Sequence, residues 1–303
     1  MTRKIFTALT VILLLSPMGY TNAQENTRNR THSRGSYLDG YTEPGTSSVL
    51  HTKTDEPAQT VIYKTINGQS LDLSIDIPSG FTGTPVILYV HSWSGNKNQL
   101  KAYSSRLAQE GIAGVRINYR KLSEGHSFEQ AISDVRDALQ WIRNNAEEYR
   151  FDTGRLGIAG ASAGGLLSSL VALENPNCRI YIGFNGGYDL VQRDGSNWPP
   201  DDRMETLLGG KNTKKARQKW SAVHQIPDGP LPAVLLLHGT RDETITISVA
   251  QRFQEELIKH GGMAELGAFE GEEHGFFNAG RACFQEIYGM VYHHVMNYLV
   301  DRP

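Results

Sequence analysis

Residues 160–164 read Gly160-Ala161-Ser162-Ala163-Gly164. A serine framed by glycines in this way fits a strand that turns abruptly into a helix, with the serine on the turn and no side chains at the flanking positions to clash. The surroundings agree. An apolar run at 156–159 precedes the pattern, a helix-like stretch at 166–173 follows it, and Gly165 leaves room for close helix–sheet packing. A serine hydroxyl is a weak nucleophile and needs a base, itself oriented by a carboxylate. For a serine on such a turn the expected chain order is serine, acid, histidine. His238-Gly239-Thr240-Arg241-Asp242 closes the apolar run 234–237, so Asp242 is the expected acid on a loop at a strand end, with Asp189 and Glu243 as alternatives. Glu273-His274-Gly275-Phe276 follows a further β-patterned run and precedes the last helix, which makes His274 the expected base. Together the three residues would perform acyl transfer through a covalent acyl-serine.

Acyl transfer also needs N–H donors for the oxyanion. One is expected from Ala163, just after the nucleophile, and the other from Trp93 in His91-Ser92-Trp93-Ser94-Gly95, with Ser94 as alternative. His91 reads as a residue that fixes this loop, and His238 as one that packs at its strand end. Neither a Cys/His spacing nor H-E-x-x-H suggests zinc, so neither a metal nor a cofactor is expected. Trp93 and Trp198 offer flat faces for a substrate ring, and ordinary packing explains them equally well.

Those residues must be brought to one edge of a scaffold. Two β-patterned runs at 61–66 and 71–77 flank Asn67-Gly68, a hairpin signature. Apolar runs at 86–90, 115–119, 156–159, 180–184 and 234–237 read as strands buried on both faces, with another strand at 263–269. Between them lie amphipathic stretches. Phe128, Ala131, Ile132, Val135, Ala138, Leu139 and Ile142 repeat at helical spacing; Val249, Phe253 and Leu257 mark a second helix, and Ile287, Met290, Val291, Val295 and Leu299 the last. The expectation is an α/β domain over 60–303: a mostly parallel central sheet, helices on both faces, and an N-terminal β-hairpin. Each motif then falls at the carboxyl end of a strand, where such sheets bind ligands.

The 303 residues carry a net charge of −2, which argues against nucleic acid or an anionic membrane as the main partner. Arg3 and Lys4, the apolar run 5–15, Pro17, Gly19 and Thr21-Asn22-Ala23 have the layout of a cleavable signal peptide over 1–23, implying a secreted or periplasmic protein. The apolar run is too short to span a bilayer, so no integral membrane association is expected. Residues 24–59, polar and without apolar periodicity, read as a flexible leader or linker. Cys178 and Cys283 fall at places that tend to lie at opposite ends of a sheet and are expected as free thiols. Nothing in the sequence specifies an oligomeric state.

Asn118-Tyr119-Arg120, the stretch from Phe128 through Asp134-Val135 to Trp141-Ile142, and residues 160–165 resemble the esterases related to hormone-sensitive lipase. They are similar too to bacterial carbohydrate esterases that release acetyl or feruloyl groups. Residues 209–221, 238–242 and 273–276 continue the pattern in the same order. The resemblance implies an α/β-hydrolase fold, a Ser162–Asp242–His274 triad and hydrolysis of carboxylic esters. The chain departs from the pattern twice. Where relatives often read His-Gly-Gly-Gly, this chain has His91-Ser92-Trp93-Ser94, which resembles the shorter form of dienelactone-hydrolase-like proteins. The segment before residue 60 is polar and short, so the ordered helical cap of hormone-sensitive-lipase relatives is not expected. Residues 186–225 are also too polar for a lipase lid. An open, polar site suits an acetyl or feruloyl-type ester on a polysaccharide or its fragments. The alternatives are a general short-chain carboxylesterase or serine peptidase acting on small molecules, and a catalytically dead hydrolase fold that binds a ligand.

Overall fold

In a computed structural model that describes residues 58–300, Asn67 and Gly68 take φ of 48° and 80°. That left-handed pair is what a two-residue turn between twisted strands requires, and the chain folds back there from β1 (Gln59–Ile66) into β2 (Gln69–Asp76). The signal peptide expected at 1–23 lies outside the described residues, as does most of the leader expected at 24–59. Strands and helices then alternate. In order they are β3 (Thr84–Val90), α1 (Lys101–Gln109), β4 (Ala113–Ile117), α2 (Phe128–Asn144), α3 (Ala146–Tyr149), β5 (Phe151–Ala161) and α4 (Ala163–Leu173). There follow β6 (Cys178–Phe184), α5 (Met204–Leu208), α6 (Lys214–Lys219), β7 (Ala233–Gly239), α7 (Ile247–Lys259), β8 (Ala264–Phe269) and α8 (Phe284–Tyr298).

The strands form one sheet in the order β1-β2-β4-β3-β5-β6-β7-β8. β2 runs antiparallel to β1 and β4, and every pair from β4 to β8 is parallel. Period-two alternation divides the apolar side chains between two cores. On β3, Val86, Leu88 and Val90 face a cluster shared with α2, α4 and α7, while Ile87 and Tyr89 face one shared with α1 and α8. The whole of α4 is buried, as a helix packed against the sheet centre must be. A capping box between Ser127 and Gln130 starts α2. From α2 the buried Asp134 pairs with Lys64 of the hairpin at 2.6 Å and Arg120 at 2.8 Å, so the hairpin is tied to the helix layer.

Cys178 and Cys283 are free and buried, and burial pushes their thiols up to about 12 and about 11, which makes poor nucleophiles of both. No helix among the described residues is long and apolar enough to cross a membrane.

Burial also lowers His91 and His294 to about 4. The folded chain therefore keeps both neutral at a pH where the unfolded chain protonates them, near pH ~6.5. Their contribution to stability is complete above that value and is lost as pH falls towards about 4. The melting temperature should drop across this window. Replacing the buried His294, whose Nε2–H donates to Ala233 O at 3.1 Å, by Gln should flatten the drop by about 1–3 kcal/mol. Thermal denaturation of both proteins at about pH 7.5 and about pH 4.5 checks this; identical pH dependence in the two would contradict it.

Candidate active site

At the junction of β5 and α4 the backbone of Ser162 takes φ 54° and ψ −119°, a conformation that non-glycine residues rarely adopt. Hydrogen bonds hold it there. Its N–H donates to Phe184 O at 2.8 Å and its carbonyl accepts from Gly165 N–H at 2.9 Å. The flanking glycines allow the close approach: a Cβ on Gly160 would collide with Ser168 Oγ, and one on Gly164 with the carbonyls of His91 and Val90. Ala163 is the first residue of α4, so its N–H belongs to the turn that has no preceding helical carbonyl to bond.

Ser162 Oγ lies 3.0 Å from His274 Nε2, and His274 Nδ1 lies 2.7 Å from Asp242 Oδ2. Because a carboxylate only accepts, the imidazole carries its proton on Nδ1 and offers its Nε2 lone pair to the serine hydroxyl. Asp242 is buried and well held. Its Oδ1 accepts from the N–H groups of Thr244 (3.0 Å) and Ile245 (2.9 Å). Burial alone would raise its carboxyl, but hydrogen bonds from His238 and His274, the attraction of His274 and the Ile245 N–H overcome that and hold it well below the usual carboxylate range. The other candidate acids sit elsewhere. Asp189 accepts from the N–H groups of Val191 and Gln192 and pairs with Arg252 at 3.0 Å, while Glu243 is exposed.

The loop after β3 rests against the start of α4. Tyr119 Oη donates to the carbonyls of His91 (3.0 Å) and Ser92 (3.2 Å), and His91, stacked on the Tyr119 ring, donates Nδ1–H to Ser92 O at 2.8 Å. Ser92 N–H is already given to Gln99 Oε1 at 2.8 Å, and Trp93 follows it, half-buried. Trp93 meets Trp198 edge-on with ring centroids 6.2 Å apart. Trp198 is 7% exposed, lies over Gly187 and meets Phe128 edge-on, so little of its ring is open to a substrate.

One neighbour of the site, Asn185, escaped the reading from sequence, and another, His238, was read only as packing at its strand end. His238 reaches beyond the strand end: its Nε2–H points to Ile245 O at 2.7 Å and, at 3.3 Å, to Asp242 Oδ2. Asn185, fully buried after β6, places its side-chain amide beside His274. The available signal was positional, since Asn185-Gly186-Gly187 directly follows an apolar strand at the edge that holds every other site residue. Among the described residues no group of three or more His, Cys, Asp or Glu is placed to hold a metal.

A mostly parallel sheet with an N-terminal hairpin and a strained serine between β5 and α4 defines the α/β-hydrolase class. Within it, the chain belongs to the BD-FAE family, which matches residues 73–257. Similar curated proteins include a probable isoprenylcysteine alpha-carbonyl methylesterase of Oryza sativa subsp. japonica, 25% identical over 73% of this chain and 57% of that protein. Esterase LipC of Mycobacterium tuberculosis is 26% identical over 71% of this chain and 59% of its own length. The chain thus spans well under two thirds of either relative. Among solved structures, Thermogutta terrifontis esterase 2 phosphonylated by sarin superposes with a TM-score of 0.71 at 25% identity, over 82% of this chain and 98% of that one. The propionate-bound form gives 0.70 at 26% identity, over 81% and 97%.

Proposed function

We propose that this chain is a serine carboxylic ester hydrolase. The observation that carries the reading is the continuous Ser162–His274–Asp242 hydrogen-bond chain at 3.0 and 2.7 Å. Ser162 Oγ attacks the ester carbonyl while His274 Nε2 takes its proton, and the N–H groups of Ala163 and Trp93 receive the oxyanion. The imidazolium returns that proton to the departing alkoxide, which leaves an acyl-serine. Water, deprotonated by the same His274, then releases the acid and restores the hydroxyl. The similar proteins named above as esterases support the chemistry.

The substrate is an acetyl or feruloyl-type ester on a polysaccharide or its fragments. The family name points to feruloyl esters, and the surface near the site is polar. Residues 186–225 bury Tyr188, Leu190, Trp198, Met204, Leu207 and Trp220 and turn Asp201, Asp202, Glu205 and Lys211 outward, so the segment presents no apolar lid. The half-buried Trp93 supplies the flat face. The signal-like sequence at 1–23 supports export, so the enzyme works in a secreted or periplasmic setting.

A second reading, a general short-chain carboxylesterase, draws on the solved Thermogutta terrifontis esterase with propionate and with butyrate bound. A panel of acetylated xylan, feruloyl esters, p-nitrophenyl acetate and a long-chain triglyceride separates the two. Higher kcat/KM on the carbohydrate-linked esters is expected. Turnover of p-nitrophenyl acetate alone would favour the second reading, and preference for the triglyceride would sink both.

A further inference from the structure

His238 lies one residue before the end of β7 and is 1% exposed. Period-two alternation puts it on the strand face of Val234 and Leu236, which belong to the core shared with α7. Leucine or phenylalanine would continue that pattern with no polar atom to satisfy. The imidazole instead donates Nε2–H to Ile245 O at 2.7 Å, and Asp242 Oδ2 lies 3.3 Å from the same nitrogen. A carbonyl only accepts, so Nε2 carries a proton. Nδ1 is buried without a partner, which is costly. Filling space does not account for that cost; what Nε2 holds does.

It holds the loop that carries the acid. Asp242 is buried between the exposed Arg241 and Glu243, and its Oδ1 accepts from the N–H groups of Thr244 and Ile245. Upstream, Thr240 N–H donates to Phe269 O at 2.9 Å and Arg241 N–H to Glu272 O at 3.0 Å. Downstream, Thr244 O accepts from Trp198 N–H at 3.1 Å, and Thr246 N–H donates to Ser196 Oγ at 3.0 Å. Between those two ties Ile245 turns inward, 1% exposed, and its carbonyl is met by His238. One imidazole thus faces both ends of the turn 242–245. Burial pushes the Asp242 carboxyl up, and the contacts from His238 and His274 outweigh it. We propose that His238 is a positioning residue for the acid of the triad: its Nε2–H clamps the Ile245 carbonyl and lies against Asp242 Oδ2, so that the turn keeps this oxygen aimed at His274 Nδ1. This role rests on the catalytic reading of Ser162, His274 and Asp242 given above.

Three replacements separate the donor from the shape. In His238→Gln the terminal amide nitrogen falls near the place of Nε2 and can still donate to Ile245 O. In His238→Asn it falls near the place of Nδ1, short of that carbonyl. His238→Phe keeps a ring and supplies no donor. The probes are steady-state kinetics on p-nitrophenyl acetate and the rate of Ser162 phosphonylation by a fluorophosphonate. A thermal melt of each variant reads general loss of structure separately.

His238→Phe and His238→Asn should lower kcat about tenfold or more, with KM moved less than about twofold, and slow labelling to match. His238→Gln should recover most of both. A packing role predicts the reverse order, because phenylalanine suits the apolar surroundings best and a buried amide suits them least. Wild-type kcat in His238→Phe, a loss confined to KM, or a His238→Gln no faster than His238→Phe would overturn the proposal. Should His238→Phe not fold, His238→Gln is compared with His238→Asn, and equal rates in the two would overturn it. Failure of wild-type Ser162 to label at all would instead overturn the catalytic reading beneath it.

Discussion

Ser162→Ala is expected to leave less than about a thousandth of wild-type kcat on any ester the protein hydrolyses. The size of the effect follows from what the side chain does. His274 Nε2, 3.0 Å from Ser162 Oγ, would lose the hydroxyl it deprotonates, and the acyl-serine that splits the reaction into two easier steps could no longer form. Residual turnover would come from the oxyanion donors and from binding alone. Alanine also fits the site: it is smaller than serine, so the close contacts around Gly160 and Gly164 are untouched. The positive φ of residue 162 remains as strained as before, and the melting temperature should move little. Kinetics on p-nitrophenyl acetate together with a thermal melt check both halves. Activity above that level in a folded variant would contradict the assignment of the nucleophile.

The second large effect is expected from Asp242→Asn, about 10⁴-fold in kcat. The amide orientation in the variant is set by its surroundings. At Oδ1 the N–H groups of Thr244 and Ile245 both require an acceptor, so the amide oxygen must stay there. The NH₂ end then replaces Oδ2 and points at His274 Nδ1. Facing a donor, the imidazole puts its proton on Nε2 and can no longer accept from Ser162. His238, whose Nε2–H also points at Oδ2, loses that acceptor but keeps Ile245 O. The variant should therefore fold and bind, with KM changed far less than kcat. Steady-state kinetics give that split, and a loss confined to KM would contradict the role given to Asp242.

The fold was widely legible because its strands are buried on both faces and bracketed by turn residues. The runs at 86–90 and 234–237 lie within β3 and β7, and Asn67-Gly68 sits in the hairpin turn. Misses occurred where the apolar pattern is faint. Helix α1 buries Tyr103, Ser104 and Leu107, too few apolar positions to show a clear period, and so was not anticipated. The run at 115–119 overshot β4, which ends at Ile117; Tyr119 is apolar in pattern but leaves the sheet to brace the loop at His91. Residues 186–225 look polar in sequence, yet Leu190, Met204 and Trp220 anchor the segment to the core.

The site was legible to the extent that it has a local pattern. Ser162 has one, and chain order did the rest for Asp242 and His274. No pattern announces that Asn185 lies against His274 or that His238 shares the carboxylate of Asp242. Those contacts arise because the ends of β6 and β7 are neighbours in the sheet, a relation between residues far apart in the chain. Trp198 shows the converse. Its residue type suggests a binding face, but its ring is buried over Gly187 and edge-on to Phe128.

The central claim, that Ser162 is the nucleophile activated by His274, is tested most directly by covalent capture. The protein should be treated with a fluorophosphonate and its peptides mapped by mass spectrometry. The prediction is a single phosphonyl adduct on the peptide carrying Ser162, absent in Ser162→Ala and strongly slowed in His274→Ala. Stoichiometric labelling of another residue, or labelling of Ser162 that is indifferent to the loss of His274, would contradict it.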